Sequence, residues 1–199
     1  MGKIKHLPLI MKLFKSSPVV AVRDVAMLTG SRQYAYLLLH WLEKKGRIKR
    51  LVKGYYTIHD DPTLTVFCYR PAYIGLQDAL SIHNLWTQET TVVIITTRNI
   101  RGDREVMGAK VVIHRLNPKY YFGYQYVRYG DLYIPVSDIE KTIIDLAYYN
   151  QPVHPEVIQE ASRSISTHKL KEYLQRYNSK VKARIIKKLK TLLQAINHQ

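Results

Sequence analysis

The chain has 199 residues, of which 31 are Lys or Arg and 15 are Asp or Glu, so its formal net charge is +16. This length allows one large or two small domains, and the charge predicts a polyanionic partner such as nucleic acid. The single cysteine excludes an internal disulfide, and the absence of 18 consecutive apolar residues argues against a membrane span. We therefore expect a soluble, cytoplasmic protein.

The first 58 residues predict three helices followed by a hairpin. Apolar residues at helical spacing indicate a first helix that ends near Ser17-Pro18 and a second that ends at Gly30. Ser31 suits the N-cap of a third helix, and Gly46 follows two lysines at its expected end. The residues expected on the buried face of this third helix are Ala35, Leu38, Leu39 and Leu42.

The hairpin follows the third helix directly. Two short strands, 47–51 and 55–58, flank a turn at residues 52–54, and Val19-Val20 supplies a third strand. Helix, tight turn, helix and basic hairpin occur in this order in a winged helix-turn-helix. The sequence therefore predicts an N-terminal DNA-binding domain at residues 1–60, or the same fold used only to bind another protein.

The basic residues are concentrated at the two ends of the chain. Residues 1–58 contain 12 basic and 2 acidic residues, residues 59–162 contain 9 and 12, and residues 163–199 contain 10 and 1. Binding to phosphates gains from the counterions that each neutralised phosphate releases. The uneven distribution favours two separate cationic surfaces over a uniformly basic chain.

The candidate DNA contacts follow from the buried face of the third helix. The opposite side carries Arg32, Gln33, Tyr36 and His40, where it can face a major groove. Arg pairs with guanine and Gln pairs with adenine through bidentate hydrogen bonds. The hairpin residues expected to hold phosphates are Lys49, Arg50, Lys53 and Gly54. The alternative for each is ordinary solvated surface.

Residues 61–199 predict a second, mixed α/β domain that ends in helices. The expected strands are 90–97, 110–116, 124–129 and 132–135, with a polar loop at 99–108. The expected helices are 76–85, 140–149, 155–162, 168–177 and 180–196. Ser137 and Glu140 are in the positions of a capping box for the second of these helices.

Several blocks of this sequence resemble the AbiEi antitoxin family. They are YIGLQDALSIHNL, the ITTR at residues 95–98, SDIEKTIIDLAYY, the basic C-terminal tail and KKGRIKRLVKGYYTI. The resemblance implies an antitoxin of a type IV toxin–antitoxin pair: a winged-helix repressor of its own promoter that also neutralises a nucleotidyltransferase toxin. The chain departs from the family in its lysine-rich tail and in Gly75, where a serine N-cap is usual.

The last predicted helix has one apolar stripe and one basic side. The stripe consists of Val181, Ile185, Leu189, Leu192 and Ile196. The residues left toward water are Lys180, Lys182, Arg184, Lys187 and Lys190. This basic face could bind an acidic toxin surface, or the toxin's nucleotide or RNA substrate, or could simply keep the helix solvated.

The sequence has features of three other functions. Asp103, Glu105 and Lys110 have the residue types of a metal-dependent nuclease without its usual spacing. The sequence also has no cofactor motif and no paired metal ligands. We therefore expect that the protein is not an enzyme and binds no cofactor or metal. Six tyrosines between residues 120 and 133 could stack single-stranded nucleic acid or RNA, although packing against a sheet is the commoner role. The third alternative function is that of a stand-alone winged-helix regulator that has no toxin partner. The operator, its expected inverted repeat and the oligomeric state stay open.

Overall fold

The computed structural model describes residues 6–86, 91–153 and 155–196, without the side chains of residues 155 and 192–196. This part of the chain mixes α-helices with β-sheets, as the predicted α+β class requires. It divides into two compact units: the first ends at Tyr69 and also contains Glu105–Ala109, and the second contains the rest. The domain boundary placed after residue 60 remains a prediction. No helix within the described ranges is long and apolar enough to cross a bilayer.

The first unit contains three helices and a small sheet. The helices are α1 (Leu7–Ser16), α2 (Val22–Thr29) and α3 (Arg32–Lys44), and the strands are β1 (Val20–Ala21), β2 (Lys49–Val52) and β3 (Tyr55–Thr57). The strands are antiparallel in the order β1-β3-β2, and a 3-10 helix, Pro62–Tyr69, follows them. The three predicted helices are therefore confirmed, as is the third strand, which lies one residue later than predicted.

The ends of α3 show why this segment is helical. The Ser31 hydroxyl accepts a hydrogen bond from the Tyr34 amide at 3.2 Å and so caps the first turn. At the other end Gly46 has φ +66°, and the Arg47 amide donates to the Leu42 carbonyl at 3.0 Å. Closing α3 in this way uses Gly46 and Arg47, so β2 begins at Lys49 and not at residue 47 as predicted. The four predicted core residues, Ala35, Leu38, Leu39 and Leu42, are all buried.

The larger sheet has six strands. They are β4 (Ala72–Ile74), β5 (Val92–Thr96), β6 (Gly102–Val106), β7 (Ala109–Arg115), β8 (Tyr124–Tyr129) and β9 (Leu132–Ser137), in the order β6-β7-β5-β4-β9-β8. Every residue of β5 is buried, because this strand has neighbours on both sides and side chains packed on both faces. Its predicted central position is confirmed; residue 90, where the predicted strand began, lies outside the described residues.

Five helices accompany this sheet. They are α4 (Leu76–Ile82), α5 (Ile139–Tyr148), α6 (Pro155–Ser164), α7 (Thr167–Gln175) and α8 (Ser179–Ile196). Helix α5 carries the centre of the core of the second unit, since eight of its ten residues are buried. The buried residues of α7 and α8, Leu174 and Ile185, belong to the same apolar cluster as Ile144 of α5.

Two sequence-based predictions about residues 61–199 were wrong. The expected polar loop at residues 99–108 contains strand β6, which a Met107-Gly108 turn with positive φ at both residues joins to β7. Only Val106 of β6 is buried, so the strand lacks the apolar alternation by which strands are found in sequences. Strand β4 was not predicted at all.

The predicted capping box at residues 137–140 was the second wrong prediction. Ser137 is the last residue of β9, and its hydroxyl lies 2.7 Å from the Thr142 hydroxyl. Asp138 is the N-cap of α5, since its carboxylate accepts from the Lys141 amide at 2.8 Å. Glu140 instead accepts from the Ser166 amide, 26 residues away. The Glu140 carboxylate therefore connects the start of α5 to the N-cap residue of α7.

Candidate nucleic-acid interface

Helix α3 places the four predicted base-contacting residues in solvent. Arg32, Gln33, Tyr36 and His40 are all exposed. Gln33 and His40 lie opposite the buried face of the helix, whereas Arg32 is exposed because it is the first residue of α3. The Arg32 guanidinium lies 5.9 Å from the centre of the Tyr36 ring, one turn further along. His40 lies 3.9 Å from Glu43, measured from imidazole Nδ1 to carboxylate oxygen. The structure therefore brings these side chains together on one accessible surface.

The same face contains two residues that the sequence analysis missed. Leu37 is 64% exposed and lies between Gln33 and His40, and Lys44 continues the stripe at the end of the helix. Leu37 was overlooked because it begins a run of three leucines, of which the other two are buried. Helical periodicity identifies both residues, because positions 33, 37, 40 and 44 lie on one line of a helix with 3.6 residues per turn.

A surface groove of about 520 Å³ lies beside the start of α3. It is lined by Val22, Arg23, Ala26, Met27, Gly30, Ser31 and Arg32. Met27 is the most exposed of the large hydrophobic side chains described, at 84%. Arg32 and the N-terminus of α3 are features that favour an anionic group in this groove, whereas Arg23 already lies 3.5 Å from the Asp24 carboxylate.

The β2–β3 hairpin presents its cations unequally. Arg50 and Lys53 are exposed, whereas the Lys49 ammonium lies 2.5 Å from an Asp60 carboxylate oxygen. Lys49 therefore has an acidic partner within the first unit, whereas Arg50 and Lys53 have none among the ion pairs of the described residues. Sequence spacing could not show this pairing, because Asp60 lies beyond the next strand.

Gly54 closes the hairpin turn and connects it to α2. Its φ of +84° is in the region that glycine adopts without strain. Its carbonyl accepts a hydrogen bond from the Val22 amide at 2.9 Å. The turn that presents Lys53 is therefore held at a defined place beside the start of α2.

Most of the predicted basic face of α8 is accessible. Lys180, Arg184, Lys187 and Lys190 are exposed, as is Lys188, which the prediction omitted. Lys182 differs, because it is only partly exposed and donates to the Gln175 side chain at 2.9 Å. In the apolar stripe Ile185 is fully buried, with Val181 and Leu189 partly so, and the side chains of Leu192 and Ile196 lie outside the described residues. Residues 179–196 contain no acidic side chain.

The tyrosines of residues 120–133 have two different environments. Tyr120 and Tyr124 pack within the core, the first on Tyr177 at 4.3 Å between ring centroids. Tyr126 and Tyr133 are 58% and 61% exposed, on strands β8 and β9. The packing role that the sequence favoured therefore applies to some of the tyrosines, and two remain accessible.

The second unit also contains a buried polar cluster that the sequence did not reveal. The Lys141 ammonium pairs with Asp145 and donates to the Tyr177 hydroxyl at 3.0 Å, and the Tyr73 hydroxyl donates to Asp145 at 2.7 Å. Burial lowers the pKa of Lys141 and raises that of Asp145, and each charge partly offsets the effect on the other. All four side chains are buried, so the cluster presents no surface to a substrate.

The remaining charged candidates are exposed. Asp103 and Lys110 form an ion pair at 2.8 Å on strands β6 and β7, with both side chains about 60% exposed. Within the described ranges, no group of three His, Cys, Asp or Glu side chains is placed to hold a metal ion.

No protein-family model matches this chain, and no curated protein matches it either. The resemblance to the AbiEi antitoxins consequently remains an expectation that rests on the sequence blocks themselves.

Proposed function

We propose that this chain is a sequence-specific transcriptional repressor that binds double-stranded DNA through a winged helix-turn-helix in its first unit. The observation that carries the proposal is the exposed surface of α3, where Gln33 and His40 offer hydrogen-bonding groups on one line of the helix and Arg32 is exposed in its first turn. A helix of 13 residues is about 20 Å long and fits the major groove, where such side chains distinguish base pairs.

The hairpin supplies the second half of this interface. Arg50 and Lys53 are exposed cations on the hairpin that follows α3. There they can bind phosphates and fix the register of the protein on the duplex. The groove between Arg23 and Arg32 offers a further position for a phosphate. Two copies on an inverted repeat upstream of the chain's own gene are the expected arrangement.

The test starts from duplexes selected out of a randomised DNA library. The wild-type chain should bind a selected duplex more tightly than a scrambled one of equal composition. Arg32→Ala and Gln33→Ala should each reduce this discrimination by roughly 5- to 150-fold, the equivalent of about 1–3 kcal/mol. Lys12→Ala, a change at an exposed position on α1, should leave it unchanged. Equal affinity for selected and scrambled duplexes would show that binding is not sequence-specific.

We further propose that the second unit acts as the antitoxin of a type IV pair, against a nucleotidyltransferase toxin. The sequence resemblance and the acid-free basic face of α8 support this part of the proposal. A neighbouring reading frame for such a toxin, whose growth arrest is relieved by co-expression of this chain, is the expected result. Without a toxin the chain would be a stand-alone regulator.

A second candidate function is binding of single-stranded nucleic acid or RNA. Exposed Tyr126 and Tyr133 on adjacent strands favour it, with Arg128 opposite Tyr133 in the pairing of β8 and β9. Competition between labelled duplex DNA and single-stranded RNA separates the two functions. Displacement of the duplex by equimolar RNA, abolished in Tyr126→Ala, would favour this second candidate.

A further inference from the structure

The outward face of α3 has an apolar side chain at its centre. Leu37 follows Gln33 by one turn and precedes His40 by one turn, so it lies on the line that points most directly away from the core. It is 64% exposed, whereas its neighbours in sequence, Leu38 and Leu39, are buried. Leu37 therefore contributes little to the packing of the first unit.

The chemistry of the major groove offers one apolar partner for such a residue. The base edges there present hydrogen-bond donors and acceptors, and thymine alone adds a 5-methyl group. Gln33 and His40 on either side of Leu37 can bind polar edges, while a leucine in their midst cannot donate or accept. An exposed leucine that approaches a thymine methyl removes apolar surface of both groups from water.

We infer that Leu37 contacts the 5-methyl group of a thymine and thereby selects thymine at one position of each DNA half-site. This inference rests on the proposed DNA-binding function and specifies a base that the bound duplex must contain. Deoxyuridine isolates this contact, because it removes the methyl group of thymine while keeping the pairing with adenine.

The experiment uses the full chain and a duplex selected from a randomised library, in which each thymine is replaced in turn by deoxyuridine. Burial of one methyl contributes about 0.8 kcal/mol, so a single replacement at the contacted position should weaken wild-type binding about fourfold. Leu37→Ala should bind the thymine and deoxyuridine duplexes equally at that position. Leu37→Met, which keeps an apolar side chain of similar reach, should retain the discrimination.

A matched control is available on the first helix. Leu9 is 49% exposed on α1, away from the proposed groove-facing line, so Leu9→Ala should keep the full sensitivity to deoxyuridine. Because Leu37 and Leu9 are both exposed, both variants should unfold at the wild-type temperature.

The experiment distinguishes failure of the thymine contact from failure of the DNA-binding proposal on which it rests. Sequence-specific binding in which no deoxyuridine position distinguishes wild type from Leu37→Ala overturns the thymine contact and leaves the DNA-binding proposal in place. A selected site that contains no thymine would also overturn the thymine contact and leave the DNA-binding proposal in place. Failure to bind any duplex overturns both.

Discussion

Lys141 and Asp145 form an ion pair one turn apart on α5, and both side chains are completely buried. Tyr73 of β4 donates to Asp145, and Lys141 donates to Tyr177, which precedes α8. One pair of charges thus connects the sheet, the central helix and the C-terminal helices. Charges removed from water are tolerated only when each has its partners, so this cluster makes the fold of the second unit sensitive to single changes.

Removing one member of the pair should destabilise the second unit strongly. Lys141→Met leaves the Asp145 carboxylate buried without its cation, for which we expect a loss of about 3–5 kcal/mol in the free energy of unfolding. Urea unfolding followed by far-ultraviolet circular dichroism measures the effect. Lys187→Met, at an exposed position on α8, should change the free energy by less than about 0.5 kcal/mol.

The double variant Lys141→Met, Asp145→Asn separates charge from packing. It removes both charges and keeps an acceptor oxygen for the Tyr73 hydroxyl. We expect it to be more stable than Lys141→Met alone, because no unpaired charge stays in the core. Equal destabilisation of the single and double variants would assign the effect to side-chain shape.

A substitution at Gly123 should be costly for two reasons. Its φ is +70°, and a Cβ atom there would lie 2.7 Å from the Tyr173 ring and 2.9 Å from Lys141 Cβ. Gly130 also has a positive φ, +57°, but has no atom within 4 Å of such a Cβ. Gly123→Ala should therefore lower the free energy of unfolding by about 1–3 kcal/mol more than Gly130→Ala, because overpacking adds to backbone strain. Equal losses would mean that the neighbours of Gly123 move without cost.

Glu140 should make the second unit sensitive to acid. Although burial raises its pKa, hydrogen bonds from the Ser166 amide and the Lys169 ammonium outweigh burial and hold the pKa below the ordinary value. Its ionised form therefore stabilises the fold above the unfolded pKa of about 4.3, and the contribution disappears as pH falls through the lower folded pKa.

Comparison of wild type with Glu140→Gln isolates this contribution from other titrating groups, Asp145 included. The difference in urea midpoint between the two chains should be larger at pH 7 than at pH 3, because the folded pKa of Glu140 lies below its ordinary value. Glu172→Gln, which removes an exposed partner of Arg176, should shift the midpoint little at either pH. If Glu140→Gln lowers the urea midpoint equally at both pH values, the charge of the Glu140 carboxylate does not contribute to the stability of the fold.

The two hairpin lysines should contribute unequally to DNA affinity. Lys53→Ala should reduce the slope of log affinity against log salt by about 0.9, the value for one phosphate contact. Lys49→Ala should reduce it less, because Asp60 already pairs with the Lys49 ammonium. Arg50→Ala combined with Lys53→Ala should weaken binding to every sequence. An unchanged slope in that double variant would remove the hairpin from the interface.

The basic face of α8 should act independently of DNA binding. Lys187→Glu combined with Lys190→Glu reverses two exposed charges and should abolish rescue from a co-expressed toxin while operator affinity is retained. Lys171→Glu, at an exposed position on α7, is the charge-matched control. Rescue that survives the double reversal would assign toxin neutralisation to another surface.

The sequence determined by itself the features that depend on neighbouring residues. Ser31 and Gly46 mark the ends of α3, and the apolar spacing between them identifies its core face, because capping and helical periodicity act within a few residues. The exposure of Gln33 and His40 follows from the same periodicity.

Only the tertiary structure decided the features that depend on partners far away in the chain. Lys49 is paired because Asp60 reaches it, Glu140 accepts a hydrogen bond from the Ser166 amide 26 residues away, and β6 is a strand because β7 pairs with it. The burial of Lys141 has the same origin, since its environment comes from elements that only the fold brings together. The spacing of apolar and capping residues in the sequence reflects the geometry of a helix. Desolvation and charge pairing, in contrast, are properties of the assembled core.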